Sequence, residues 1–239
     1  MKYEKICCGK FIERPNRFVA RVEISGEIHQ VHVKNTGRCR ELLLPGAEVF
    51  LEDFAGRMGS RKLRYSLTGV KKETPCGKMM INMDSQAPNK VVKEALESGR
   101  LVPSGLADAG YVKAEYRYGA SRLDFFVRDK DGKECLVEVK GVTLEKNGVA
   151  RFPDAPTERG VRHIEELIEA KERGIGACVI FVVQMKGVTA FEPNHETHPE
   201  FGEALCRAER AGVEILAYDC RAEEDSLELD MPVDVRLYP

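Results

Sequence analysis

Three residues near the middle of this chain have the types and spacing for metal-assisted phosphate chemistry: Asp124, Glu138 and Lys140. The segments SRLDFFVRD and ECLVEVKGVTL flank a DKDG turn and form the two arms of a β-hairpin. With the turn centred on Asp131, residues whose numbers sum to 262 face each other, which sets Asp124 opposite Glu138. Opposed side chains in such a ladder lie about 5 Å apart at Cβ. Strand alternation puts Lys140 on the same face as Glu138. Two carboxylates that close repel unless positive charge lies between them. A divalent cation with oxygen ligands, Mg2+ or Mn2+, meets that need, and a neighbouring ammonium can steady developing charge or an attacking water. Asp124 and Glu138 are therefore the candidate metal ligands, and Lys140 completes the candidate catalytic set.

The E-x-K triplet is common on exposed strands, so a cross-strand salt bridge is the competing account. The setting favours the metal: LVEVKGV and LDFFV are apolar strands, and charges in a mostly buried sheet need a partner or a task. A further acid can come from the preceding helix as Glu94, with Glu115 as the other choice; Glu94 is equally readable as a solvated helix residue. The segment FPDAPTERGVRH gathers Asp154, Thr157, Arg159, Arg162 and His163 at a helix entrance, where backbone N–H groups favour phosphate and an arginine can clamp it. Capping by Asp154 or Thr157 and a surface His163 are the plain alternatives. Toward the N-terminus, Arg14, Arg17, Lys34, Arg38 and Arg40 surround Asn35-Thr36-Gly37, with Phe11 and Phe18 nearby. Basic groups interleaved with aromatics suit a nucleic-acid strand, although both phenylalanines are readable as core. Arg122, two residues before Asp124, joins the candidate nucleic-acid contacts.

The elements that must position these groups fall into two textures. FVARVEI, HQVHVK, AEVFLEDF and LRYSLTGVKK read as short β segments broken by Gly26, Pro45-Gly46 and Gly59-Ser60, for which a small OB-like β-barrel is the candidate. From Asn82 onward helices alternate with strands: a helix over PNKVVKEAL, the hairpin, an amphipathic helix with Val161, Ile164, Leu167 and Ile168 on one face, then ACVIFVVQM, apolar on both faces and hence an interior strand. A helix through PEFGEALCRAERAG and a strand VEILAYD finish an α/β domain. The predicted division is 1–82, a basic OB-like nucleic-acid-binding domain, and 83–239, an α/β domain.

Charge follows the same division. Residues 1–80 hold 16 Lys and Arg against 9 Asp and Glu, and the rest hold 21 against 30, although the whole chain sums to only -2. A basic module can gather a phosphate backbone while an acidic one supplies metal ligands. No run approaches the ~20 apolar residues of a bilayer span, and the N-terminus lacks the ~7 to 15 apolar residues of a secretory signal, so no membrane partner and a cytoplasmic location are expected. Eight cysteines with no CxxC pair are expected to be buried free thiols. No glycine-rich phosphate loop follows a strand and nothing resembles a nucleophile elbow, which argues against a small-molecule enzyme.

The runs NTGRCRELLLPG, PNKVVKEAL, EYRYGASRLDF, VEVKGVTL, FPDAPTERGVRHIEEL and GVEILAY, in this order, resemble the sugar fermentation stimulation protein A family over nearly the whole chain. The resemblance implies an N-terminal OB-like domain followed by a restriction-endonuclease-like (PD-(D/E)xK) α/β domain with a mixed central sheet, and DNA binding. It makes Asp124 the first acid of the nuclease motif, Glu138 and Lys140 its E-x-K element, and Glu94 the helical acid of many such nucleases. It also implies a link to the regulation of sugar use. Arg38-Cys39-Arg40 makes this loop more basic than the resemblance would suggest. Two functions are then in contention: a metal-dependent DNA nuclease, acting on single-stranded, duplex or branched DNA, and a DNA-binding regulator that keeps the nuclease scaffold without catalysis.

Overall fold

The computed structural model describes all residues except Thr36, Cys76, Ala120 and Pro239. The first six strands are β1 (Ile6–Asn16), β2 (Val19–Ile24), β3 (Glu27–Val33), β4 (Glu48–Asp53), β5 (Tyr65–Thr74) and β6 (Gly77–Asn82). They form one sheet of order β3-β2-β1-β4-β5-β6, and a parallel pairing of β3 with β5 returns the first five strands onto themselves in a closed circuit. Alternation decides the inside: in β2, Ala20, Val22 and Ile24 are buried while Arg21 and Glu23 face out. Phe11, Val31, Val33, Val49, Leu51 and Leu67 fill the same interior. Strand β1 pairs with β2 on one side and β4 on the other. Gly9 permits this closeness, because a Cβ there would meet Val22 Cγ1 at 2.6 Å and the Glu23 carbonyl at 2.7 Å.

The second half contains α1 (Ala87–Glu97), β7 (Tyr111–Tyr118), β8 (Ser121–Arg128), β9 (Glu134–Val142), β10 (Leu144–Lys146), β11 (Val149–Phe152), α2 (Glu158–Glu172), β12 (Gly176–Val183), β13 (Ala190–Pro193), α3 (Pro199–Arg210), β14 (Glu214–Ala222), β15 (Leu227–Pro232) and β16 (Asp234–Val235). Its main sheet runs β15-β14-β12-β9-β8-β7. It is mixed: β12 lies parallel to both β9 and β14, and the other neighbours are antiparallel. Strand β12 is the interior strand that its two apolar faces predict. Cys178, Ile180 and Val182 share a core with Val91, Val92 and Leu96 of α1, while Val179, Phe181 and Val183 share another with Ile164 and Leu167 of α2 and Phe201 and Leu205 of α3. A small sheet, β10-β11-β13-β16, sits alongside.

A buried polar knot joins the two halves where β6 passes into α1. Asp84, fully buried, accepts from Lys34 Nζ at 2.8 Å, from the Tyr3 hydroxyl at 3.3 Å and from the Gln86 N–H at 3.0 Å. Gln184, at the end of β12, donates to the Asn82 side chain at 3.0 Å and to the Asp84 carbonyl at 3.1 Å. No described helix is long and apolar enough to cross a membrane. Among the described cysteines, Cys39, Cys135, Cys178 and Cys220 are buried free thiols as expected, but Cys8 is exposed and Cys7 and Cys206 are half-buried, because they sit on outward or rim positions. Cys76 lies outside the described residues.

Candidate metal and nucleic-acid site

The hairpin of β8 and β9 has the register that its turn predicts: Phe125 pairs with Val137, Phe126 with Leu136, Val127 with Cys135 and Arg128 with Glu134. Asp124 and Glu138 occupy the next position, where the ladder ends. There the Asp124 carboxylate takes over the bonding, its Oδ2 accepting from the Val139 N–H at 2.8 Å. Its Oδ1 accepts from Asn89 Nδ2, on the first turn of α1, at 2.6 Å. Gly141 lets α1 come this close to β9, since a Cβ there would meet Pro88 Cγ at 2.8 Å and Gln184 Oε1 at 2.7 Å.

Glu138 points to the α2 face of the sheet and is 3% exposed. Its Oε1 accepts from Lys140 Nζ at 2.6 Å and meets Nδ1 of the buried His163, from α2, at 2.5 Å. The other imidazole nitrogen, Nε2, accepts from Arg159 Nε at 3.3 Å, so His163 carries its proton on Nδ1 and donates to Glu138. Oε2 of Glu138 is buried and has no hydrogen-bond partner. Burial, and then the charge of Glu138, push the Asp124 carboxyl up to about 6. Burial acts on Glu138 in the same sense, but the His163 hydrogen bond and the Lys140 ammonium outweigh it and hold Glu138 below the usual glutamate range.

These features bear on whether the residues fit a divalent cation. A buried carboxylate oxygen without a donor is costly, and a second acid beside it is held partly protonated for want of positive charge. Both deficits are of the kind a hard cation removes. Among the described residues no group of three or more His, Cys, Asp or Glu side chains could hold a metal, so Asp124 and Glu138 would offer a cation two carboxylates. That number suits Mg2+, which keeps several waters and is commonly held by one or two carboxylates together with substrate phosphate.

Glu94 does not join this site. Five residues beyond Asn89 it lies about 140° further around α1, half-exposed, with its Oε2 on the Met1 amino group at 2.8 Å. The residue that α1 brings to Asp124 is Asn89, a hydrogen-bond donor, and not the acid expected from this helix. Glu115, the other choice, is exposed and pairs with Arg122 at 3.1 Å. His163 is not a surface residue, and Thr157 settles as the cap of α2, its hydroxyl accepting from the Gly160 N–H at 3.0 Å.

Residues 86–226 match the sugar fermentation stimulation protein RE domain, and residues 12–82 match the SfsA N-terminal OB domain. The sugar fermentation stimulation protein homolog of Clostridium beijerinckii is 53% identical over 237 residues, covering 99% of this chain and all (100%) of that one. The chain belongs to the sugar fermentation stimulation protein family. Another member, the homolog from Desulfitobacterium hafniense, is 50% identical with 99% of each chain covered. The solved structure of Pyrococcus furiosus SfsA in complex with Ca2+ superposes with a TM-score of 0.84 at 30% identity, covering 99% of this chain and 98% of that one. The family's OB domain coincides with the closed strand circuit, and its RE domain with the mixed sheet and its helices.

Of the basic residues singled out in the sequence, two are absorbed by the fold. Arg14 gives its guanidinium to four backbone carbonyls: Arg17 and Asn35 at 2.6 Å each, Gly37 at 2.8 Å and Arg38 at 3.1 Å. Lys34 is consumed by buried Asp84, with Glu52 at 3.6 Å. Both heads are engaged within the fold, Arg14 by loop carbonyls and Lys34 by the buried Asp84 carboxylate. Arg17, Arg38, Arg40 and Arg159 are exposed and, among the described residues, pair with no carboxylate, whereas Arg21, Arg57 and Arg64 of the same half do. Phe11 is core at 3% exposure, but Phe18 is 49% exposed. Thr36 of the Asn35-Thr36-Gly37 turn lies outside the described residues. Asn89 is the site residue that motif reasoning missed, and His163, read there with the helix entrance, lies instead against Glu138. The available signal for His163 was its spacing: it follows Arg159 by one helical turn and precedes core Ile164, which places it on the edge of a buried helix face.

Proposed function

We propose that the chain is a DNA-binding protein with a divalent-metal-dependent phosphodiesterase site, in which Asp124 and Glu138 hold Mg2+ or Mn2+ and Lys140 serves the reacting phosphate. The observation that carries this reading is the buried, partnerless Oε2 of Glu138 beside an acid whose carboxyl is pushed up to about 6. The Ca2+ complex of the Pyrococcus furiosus relative supports it, since Ca2+ and Mg2+ share a preference for carboxylate oxygen. A bound Mg2+ would polarise a phosphoryl oxygen and make hydroxide available near neutral pH.

The chain's own residues do the rest. Asn89 and the Val139 N–H fix both oxygens of Asp124, so its orientation is set before a cation arrives. His163 and Lys140 both occupy Oε1 of Glu138, which leaves the buried Oε2 without a donor and open to serve as the ligand atom. The Lys140 ammonium, mostly buried, stands ready to meet charge developing on the phosphate or leaving oxygen. Arg159, exposed at the start of α2, is placed to hold a neighbouring phosphate. DNA binding rests on the unpaired arginines Arg17, Arg38 and Arg40.

The test combines calorimetric titration of the full chain with Mn2+ or Ca2+ and incubation with single-stranded, duplex and branched DNA plus Mg2+ or Mn2+. Wild type should bind one ion and cleave, Asp124→Asn and Glu138→Gln should lose the ion, and Lys140→Ala should bind it without cleaving. Ion binding with no cleavage of any of these substrates by wild type would leave the alternative function, a non-catalytic DNA-binding regulator.

A further inference from the structure

Phe18 is a large aromatic ring left in solvent at a place where the backbone is fixed. It sits at the tip of the β1–β2 hairpin; its N–H donates to Asn16 Oδ1 at 2.9 Å, and its carbonyl accepts from the Val33 N–H at 2.8 Å. The ring is therefore held out, 49% exposed, by a tip whose own hydrogen bonds are satisfied. The Arg17 guanidinium stands 5.4 Å from its centroid. Arg14 ties this tip to the loop after β3, because its guanidinium donates to the carbonyls of Arg17, Asn35, Gly37 and Arg38. That loop is in turn docked on the second half of the chain: the Arg38 N–H donates to Asp154 Oδ2 at 3.1 Å. A small cavity beside it is lined by Asn35, Asp154 and Gly141, the last being the residue that follows Lys140. A continuous set of contacts thus leads from the Arg17-Phe18 tip to the end of the strand that carries Glu138 and Lys140.

We propose that Phe18, with Arg17 and Arg38, is a landing place for an unpaired DNA strand entering the Asp124–Glu138 site, so that the substrate class is DNA with a single-stranded segment next to the point of attack. The inference rests on the phosphodiesterase reading of that site. A ring face gives no advantage on a duplex exterior, where bases are stacked on one another and only phosphate and groove edges are offered. On an unpaired strand a ring stacks with any base, and unpaired arginines spaced along the path take the phosphates. Arg17, Arg38 and Arg40 have no carboxylate among the described residues, which leaves their charge for that use. The hairpin and loop are locked by Arg14 before any ligand arrives, so ordering them costs little on binding.

The experiment is fluorescence anisotropy of the full chain with a labelled single strand of about 20 nucleotides and with the duplex of the same sequence, in EDTA so that metal plays no part. Wild type should prefer the single strand. Phe18→Ala should weaken single-strand binding about tenfold and leave duplex binding unchanged, with Phe18→Tyr restoring the affinity. Arg38→Ala should weaken both and lower the salt slope by about one. Equal loss on both DNA forms, or no loss with Phe18→Ala, overturns the proposal. Because Phe18 is exposed, neither variant threatens the fold. Because the anisotropy is read in EDTA, the single-strand preference stands or falls without any bound ion, so a failed metal site and a failed strand path give different results.

Discussion

The most exposed consequence of this geometry concerns the stability of the metal-free protein, and Asp124→Asn measures it. The Asp124 carboxyl moves from an ordinary 3.8 to about 6 on folding, chiefly through burial and then through the charge of Glu138. The folded state therefore holds that proton more tightly than the unfolded chain. The stability this contributes is present at low pH and is lost as pH rises from about 4 to about 6, a difference of about 3 kcal/mol once both states are ionised. An amide at position 124 carries no such charge. It can keep the Val139 N–H on its oxygen while Asn89 turns its own amide to accept the new NH2 donor, so the hydrogen bonds survive at some cost. The net expectation in EDTA is that Asp124→Asn is more stable than wild type by about 2 kcal/mol above pH ~6.5, several degrees in Tm for a chain of this size. The advantage should vanish near pH ~4. Denaturant melts of both proteins across this range isolate the Asp124–Glu138 pair, because titrating groups remote from it cancel in the difference. Adding Mn2+ or Ca2+ should reverse the order at high pH, by stabilising wild type alone. A variant less stable than wild type at all pH values, with a difference that does not change with pH, would refute the account of two uncompensated buried acids.

His163→Gln removes the imidazole that fixes Oε1 of Glu138, and metal affinity measured by calorimetry should fall about tenfold; Glu94→Gln, on the far side of α1 with Met1, should leave that affinity unchanged. Lys34→Ala strands the carboxylate of Asp84 in the interior and should cost about 3–5 kcal/mol in denaturant unfolding, whereas Arg40→Ala, on the surface, should cost no more than about 0.5 kcal/mol.

What was legible in the sequence is what local periodicity determines. The register of β8 against β9 follows from a short turn around Asp131, with Gly132 at φ 83, and once the turn is placed every cross-strand pair is counted from it. The same logic located α1, α2, α3 and the doubly apolar β12. Strand β1 escaped because its pattern is not periodic. It pairs on both edges, passes through bulges near Glu13, and needs Gly9 in the middle for a contact with Val22 that only the folded circuit creates. The strands β10, β13 and β16, two to four residues each, are too short to show any period at all.

The site divides along the same line. Asp124, Glu138 and Lys140 are on adjacent strands of one hairpin, so spacing alone could bring them together. Asn89 and His163 arrive from helices that precede and follow the hairpin, and their positions depend on how α1 and α2 pack against opposite faces of the sheet. The basic residues show the same limit more sharply. Arg14 and Arg17 are three positions apart on one hairpin and chemically identical, yet Arg14 spends its guanidinium on four carbonyls while Arg17 remains beside an exposed ring. A guanidinium goes to the nearest unmet acceptors, and Arg14 finds them in the carbonyls of Asn35, Gly37 and Arg38 after β3 and in that of Arg17. Charge clusters in a sequence therefore indicate where a polyanion could bind; which arginine is free to bind it is decided by the backbone groups the fold leaves unpaired.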